Sequence, residues 1–115
     1  MTEFSLPHVS ISSSGGEYFQ ILVAENEDSD DDYFLIQRQF ESPHCGKLYV
    51  ESHHRALCEH FKIRRAELRR GVRRLTLVCL PAKTVEVRFQ VGQSRYNRLK
   101  NVLRIMLPSR VLNIE

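Results

Sequence analysis

The sequence predicts an α+β fold: a mostly antiparallel β-sheet meander with one C-terminal amphipathic helix packed on it. Three observations predict it. Val85, Val87, Phe89 and Val91 alternate with Glu86, Arg88 and Gln90, the period of a strand with one wet face. Several other runs rich in β-formers are punctuated by glycine, serine and proline. From residue 94 the period changes, and Tyr96, Leu99, Val102, Leu103 and Met106 form one helical stripe with Arg95, Arg98, Lys100 and Arg104 off it.

Each element has a local reason. Val9–Ser12 reads as a short strand, and residues 12–16 (Ser-Ser-Ser-Gly-Gly) as the turn after it, because glycine relieves backbone sterics there. Tyr18–Ala24 is the next strand, and an acidic run interrupts it. Tyr33–Phe40 resumes, with Phe34, Ile36 and Phe40 on one face and Tyr33 and Leu35 on the other. A turn over 42–46 precedes a strand at Lys47–Glu51. Residues 56–70 fit either period; the reading adopted is a strand over about 56–63, then a basic turn closed at Gly71. Arg74–Leu80 is a strand ended by Pro81, which lacks the N–H that a ladder needs. Ser94 offers a hydroxyl to cap the helix, and Pro108 ends it. The tail Val111–Glu115 is apolar enough to pack or pair.

The length of 115 residues suits a single domain with a core of its own. No apolar run approaches the roughly 20 residues of a membrane span, and the first residues lack the basic start and apolar stretch of a signal peptide. A cytoplasmic location is expected. Three cysteines without CxxC spacing make a poor disulfide framework. Cys79, within the run Leu75–Leu80, reads as a small buried filler.

The charges are sorted by position. Residues 1–60 carry 11 Asp+Glu against 3 Lys+Arg, a balance of −8; residues 61–115 carry 3 against 14, a balance of +11. The segments Glu25–Asp32 and Arg64–Arg74 make most of this. Like charges so dense repel one another and sit on the surface, where they meet solvent or a partner. An acidic loop suits docking on a basic protein site, so Glu27, Asp28, Asp30, Asp31 and Asp32 are the expected partner contacts. The alternative is a nucleic-acid-binding module. In it, Arg64, Arg65, Arg69, Arg70, Arg73 and Arg74 neutralise phosphates, the helix cations assist, and Tyr33 and Tyr49 stack bases. Opposite charges on the two halves also suit pairing between subunits of a closed homodimer.

Chemistry has fewer footholds. His44, Cys45, His53, His54, Cys58 and His60 fall within 17 residues. Zinc needs about four converging N/S ligands, and neighbours on a strand point to opposite faces, so no metal site is expected. Cys45 or Cys58 with a histidine and Glu51 or Glu59 has the composition of a Cys–His pair but no signature around it. The acidic run lacks the glycine and distal glutamate of a calcium loop. The sequence has no phosphate loop, G-x-S-x-G or H-E-x-x-H. The expectation is a protein without catalytic residues or cofactor.

Ile21-Leu22-Val23-Ala24-Glu25 before an acidic loop, then Tyr33-Phe34-Leu35-Ile36-Gln37-Arg38, Leu48-Tyr49-Val50-Glu51 and the closing Leu99–Met106 helix resemble a bacterial immunity-protein family, the one numbered ten in polymorphic toxin systems. The resemblance spans about residues 17–107. The pair His53-His54, the short stretch between Arg38 and Lys47 and the arginines after Arg64 depart from its pattern. The resemblance implies a small, non-enzymatic cytoplasmic protein that binds a cognate toxin domain and blocks it by occlusion.

Overall fold

The computed structural model describes residues 2–25, 32–40, 47–53 and 57–115. The α+β class holds: ten strands in two sheets, with one helix near the C-terminus. Strands β1 (Thr2–Ser5), β7 (Ile63–Arg69), β8 (Arg74–Cys79), β9 (Lys83–Arg88) and β10 (Leu112–Ile114) form sheet I, ordered β1-β9-β8-β7-β10. Strands β2 (His8–Ser14), β3 (Tyr18–Ala24), β4 (Tyr33–Gln39), β5 (Leu48–Ser52) and β6 (Cys58–Phe61) form sheet II in chain order, antiparallel throughout. In sheet I the terminal pairings, β1 with β9 and β10 with β7, are parallel.

The chain passes between sheets at two corners. Only Leu6 and Pro7 separate β1 from β2, and only Lys62 separates β6 from β7. Strands that switch sheets in this way turn the corners of packed-sheet folds. The corner backbone stays bonded: Leu6 N–H donates to the Arg88 carbonyl at 2.9 Å, and Leu80 N–H to that of Lys62 at 2.9 Å. Both inner faces meet in one apolar core. Ile21, Phe34, Ile36 and Val50 come from sheet II, and Ala66, Leu68, Leu77, Val85 and Val87 from sheet I. Helix α1 (Gln93–Met106) adds Tyr96, Leu99, Val102, Leu103 and Met106. Each fully buried aliphatic side chain contributes about 1.5–3 kcal/mol.

The core explains several boundaries that the sequence placed differently. The stretch 63–69 is strand, not the expected basic turn, because Ala66 and Leu68 point inward while Arg65, Glu67 and Arg69 alternate outward. A register irregularity between Ile63 and Arg65 leaves both Arg64 and Arg65 exposed. The turn occupies residues 70–73, and its left-handed residue is Arg73, at φ 46°, not Gly71. The Arg73 guanidinium lies 4.4 Å from the Tyr96 ring centroid and donates to the Arg70 carbonyl at 3.3 Å. These contacts offset a conformation that costs an ordinary residue about 1–2 kcal/mol. Strand β2 runs on to Ser14, and the turn with left-handed Gly15 and Gly16 follows it. The helix N-cap is Gly92, two residues before the expected Ser94, and no side chain caps it. The tail pairs as β10, and Thr2–Ser5, unassigned from sequence, pairs as β1.

Candidate functional site

The two sheets divide the charge of the chain. The acidic half builds β1 and sheet II; the basic half builds α1 and the remaining strands of sheet I. Charge sorting along the sequence thus becomes sorting between two sides of the fold.

On the outer face of sheet I the arginines are largely answered. Arg88, Arg74 and Arg69 stand in one cross-strand row, beside a row containing Glu3, Glu86 and Glu67. Glu86 holds Arg74 at 3.3 Å and Arg88 at 3.6 Å, while Arg69 pairs with Glu67 and, at 3.1 Å, with Glu115. Arg73 is committed to Tyr96. The six-arginine segment is therefore split: Arg69, Arg73 and Arg74 have structural partners. Arg64, Arg65 and Arg70 are exposed, and among the described residues no ion pair involves them.

The outer face of sheet II has a different character. Strand alternation brings Gln20, Gln37, Tyr49 and His60 into one cross-strand row, and Leu22, Leu35, Glu51 and Cys58 into the next. The Glu51 carboxylate joins two strands, β4 and β5. One oxygen accepts the Tyr49 hydroxyl at 2.6 Å, and the other accepts the Tyr33 hydroxyl at 2.6 Å. The hydrogen bond to Glu51 pushes the Tyr49 hydroxyl far above the usual tyrosine range, with Cys58 and burial adding to the shift. The Cys58 sulfur lies 3.5 Å from the Tyr49 oxygen. With the tyrosyl proton directed at Glu51, the thiol is the donor in that contact. The His60 ring packs against Tyr49, with centroids 5.1 Å apart. Tyr18 donates to Gln20, and Gln37 donates to the same amide oxygen at 2.8 Å. Gln37, Gln39, Lys47, Tyr49 and His60 line a shallow depression of about 230 Å³.

Of the expected partner residues, only Asp32 can be placed, beside Tyr33 at one end of this face. Glu27, Asp28, Asp30 and Asp31 fall outside the described residues; Asp32 is described and exposed. Asp32 closes the β3–β4 connection, its carbonyl accepting the Glu25 N–H at 3.0 Å. Its carboxylate lies 3.5 Å from His53 Nε2. His53 in turn lies 3.0 Å through Nδ1 from both the N–H and the carbonyl oxygen of Tyr33. Asp32 and Glu25 thus stand at the end of the sheet that carries Tyr33 of the Tyr33–Glu51–Tyr49 bridge. That bridge was not singled out from sequence as a unit; the i, i+2 pair Tyr49/Glu51 on one strand face was its only local signal.

Of the histidine and cysteine cluster, His44, Cys45 and His54 lie outside the described residues. Among the described residues no three His, Cys, Asp or Glu side chains gather as a metal site. Cys79 is buried in sheet I, and burial pushes its thiol up to about 11. No described helix is long and apolar enough to cross a membrane. Compared with protein-family models, with curated proteins and with solved structures, the chain finds no match.

Proposed function

We propose that this chain is a non-enzymatic protein-binding inhibitor, an immunity protein that neutralises a cognate bacterial toxin domain by occlusion. One observation carries the reading: the Tyr33–Glu51–Tyr49 bridge, with exposed Asp32, the last residue of the acidic run in the sequence, next to Tyr33. Tyrosines held by a carboxylate present rigid, amphipathic contact area at small entropic cost, and tyrosine is enriched at interface hot spots. The adjacent carboxylates steer a basic partner to that face. A basic site built to hold phosphates is a suitable target. The test replaces Glu27, Asp28, Asp30, Asp31 and Asp32 with their amides, and separately Tyr33 and Tyr49 with alanine, and measures inhibition of the toxin domain. The expected result is slower association for the amide set and faster dissociation for the alanine pair. Unchanged affinity in both sets removes this face from the mechanism.

Nucleic-acid binding is the second reading. It is favoured by Arg64, Arg65, Arg98 and Arg104, which are exposed and take part in no ion pair among the described residues. It requires affinity for a duplex that falls steeply with salt, through counterion release. Absence of binding at low salt eliminates it.

A further inference from the structure

We propose that the outer edge of β2 is a self-association surface, on which two copies of this chain pair their β2 strands antiparallel about a twofold axis at Ser12. Four strands end the two sheets. β1, β6 and β10 have four, four and three residues, whereas β2 has seven and, among the described residues, is paired only with β3. Short edge strands discourage pairing with other chains; a long one invites it. The Val9 carbonyl accepts Arg95 Nη1 at 3.0 Å, so it points away from β3. Both polar groups of an antiparallel strand residue face the same side, and the side alternates. Ile11 and Ser13 therefore direct their N–H and C=O to the same open edge as Val9.

These positions fix a register. Pairing Ile11 of each copy with Ser13 of the other satisfies all the groups of Ile11 and Ser13 on that edge and leaves the Arg95–Val9 contact intact. Ser12 then faces its own symmetry mate, and Ser10 faces Ser14. These serines are all exposed and small, and no like charges oppose one another. The serine opposite Ile11 enters the groove of about 320 Å³ lined by Val9, Ser10, Ile11, Arg95 and Arg98. At that end of the strand, the turn of the second copy brings its exposed Glu17 towards Arg95 and Arg98, twice per dimer. The occupant that suits this edge is thus a second copy: it supplies the matching serines and the opposite charge. One strand and one helix end make a small interface, so the dimer is weak and forms with rising concentration.

The experiment is sedimentation velocity of the full chain over a concentration series. The expected result is a reversible monomer–dimer shift. Ser13→Pro abolishes it, because proline removes an outward N–H that the fold itself does not use. Ser12→Lys raises the dissociation constant about fivefold by placing like charges on the axis. Glu17→Arg weakens the dimer, and adding Arg98→Glu restores it. Circular dichroism of each variant, with Ser12→Lys the mildest, establishes that the monomer fold is kept. A chain that stays monomeric at every concentration, or a dimer indifferent to both Ser12→Lys and Ser13→Pro, overturns the proposal.

Discussion

Tyr96 offers a sharp test of the packing that joins the helix to the sheets. Its side chain is 1% exposed, yet its hydroxyl is buried with no hydrogen-bond partner among the described residues. A buried hydroxyl left unpaired costs about 1–3 kcal/mol in desolvation. Tyr96→Phe removes that cost and keeps the ring under Arg73 at 4.4 Å. The void left by one oxygen offsets part of the gain, so the expected change lies between zero and about 1 kcal/mol of stabilisation. Tyr96→Ala loses the ring instead, about 3–5 kcal/mol, and about 1 kcal/mol of cation–π attraction with it. That is about a quarter or more of the stability of an ordinary domain, about 5–15 kcal/mol. Urea unfolding followed by far-UV circular dichroism separates the two, since 1 kcal/mol moves the midpoint by about 0.3–1 M. The alkaline limb gives a second readout. Burial raises the Tyr96 hydroxyl above its ordinary value, opposed by Arg73 and Arg70. The folded state therefore holds this proton more tightly than the unfolded chain. Its contribution is complete below the ordinary tyrosine value, about 10, and is lost as pH rises from there through the folded value. Tyr96→Phe flattens that part of the decline. A Tyr96→Phe variant destabilised by more than about 1 kcal/mol would refute the reasoning, since the hydroxyl would then be satisfied.

Two further outcomes follow from the same structure. Arg73 sits at φ 46°, so Arg73→Gly exchanges its ring contact for relief of strain and stays near wild-type stability, whereas Arg73→Ala loses the contact and keeps the strain; chemical denaturation finds the alanine variant less stable than the glycine variant by about 1 kcal/mol. Cys79 is buried with its thiol raised to about 11, chiefly by burial, while Cys58 is exposed; a thiol reagent at neutral pH therefore modifies Cys58 promptly and Cys79 only through unfolding, and the stability that the Cys79 proton contributes is lost as pH rises from the ordinary thiol range through about 11.

How far the fold was legible varied by element, for physical reasons. The strands β3, β4 and β5 of sheet II and the helix announced themselves because each buries one face, and burial of one face imposes a period. The strand Ile63–Arg69 was obscured because its inward positions after Ile63 are only Ala66 and Leu68, set among arginines that read as a charged turn. Thr2–Ser5 and Leu112–Ile114 are short and pair in parallel with strands far along the chain, and no local pattern encodes such a partner. The division into two sheets depends on corners at Leu6–Pro7 and Lys62, where the backbone changes sheet without a glycine or a long loop to mark it. At the candidate site, charge runs were visible but their pairing was not. Arg69, Arg74 and Arg88 find Glu67, Glu86 and Glu115 only because strand register aligns them. The Tyr33–Glu51–Tyr49 bridge likewise spans two strands, so only its Tyr49/Glu51 half was local.

The most direct test of the proposed role is a comparative capture from native cells, with nuclease and moderate salt, read by mass spectrometry. Three baits are used: the wild-type chain, a variant with Tyr33→Ala and Glu51→Gln, and a variant with Arg64→Gln, Arg65→Gln, Arg98→Gln and Arg104→Gln. The account predicts one stoichiometric protein partner that survives both treatments, is retained by the arginine variant and is lost from the Tyr33/Glu51 variant. A partner that vanishes with nuclease or salt, or that is lost only from the arginine variant, contradicts it and assigns binding to the basic side of the fold.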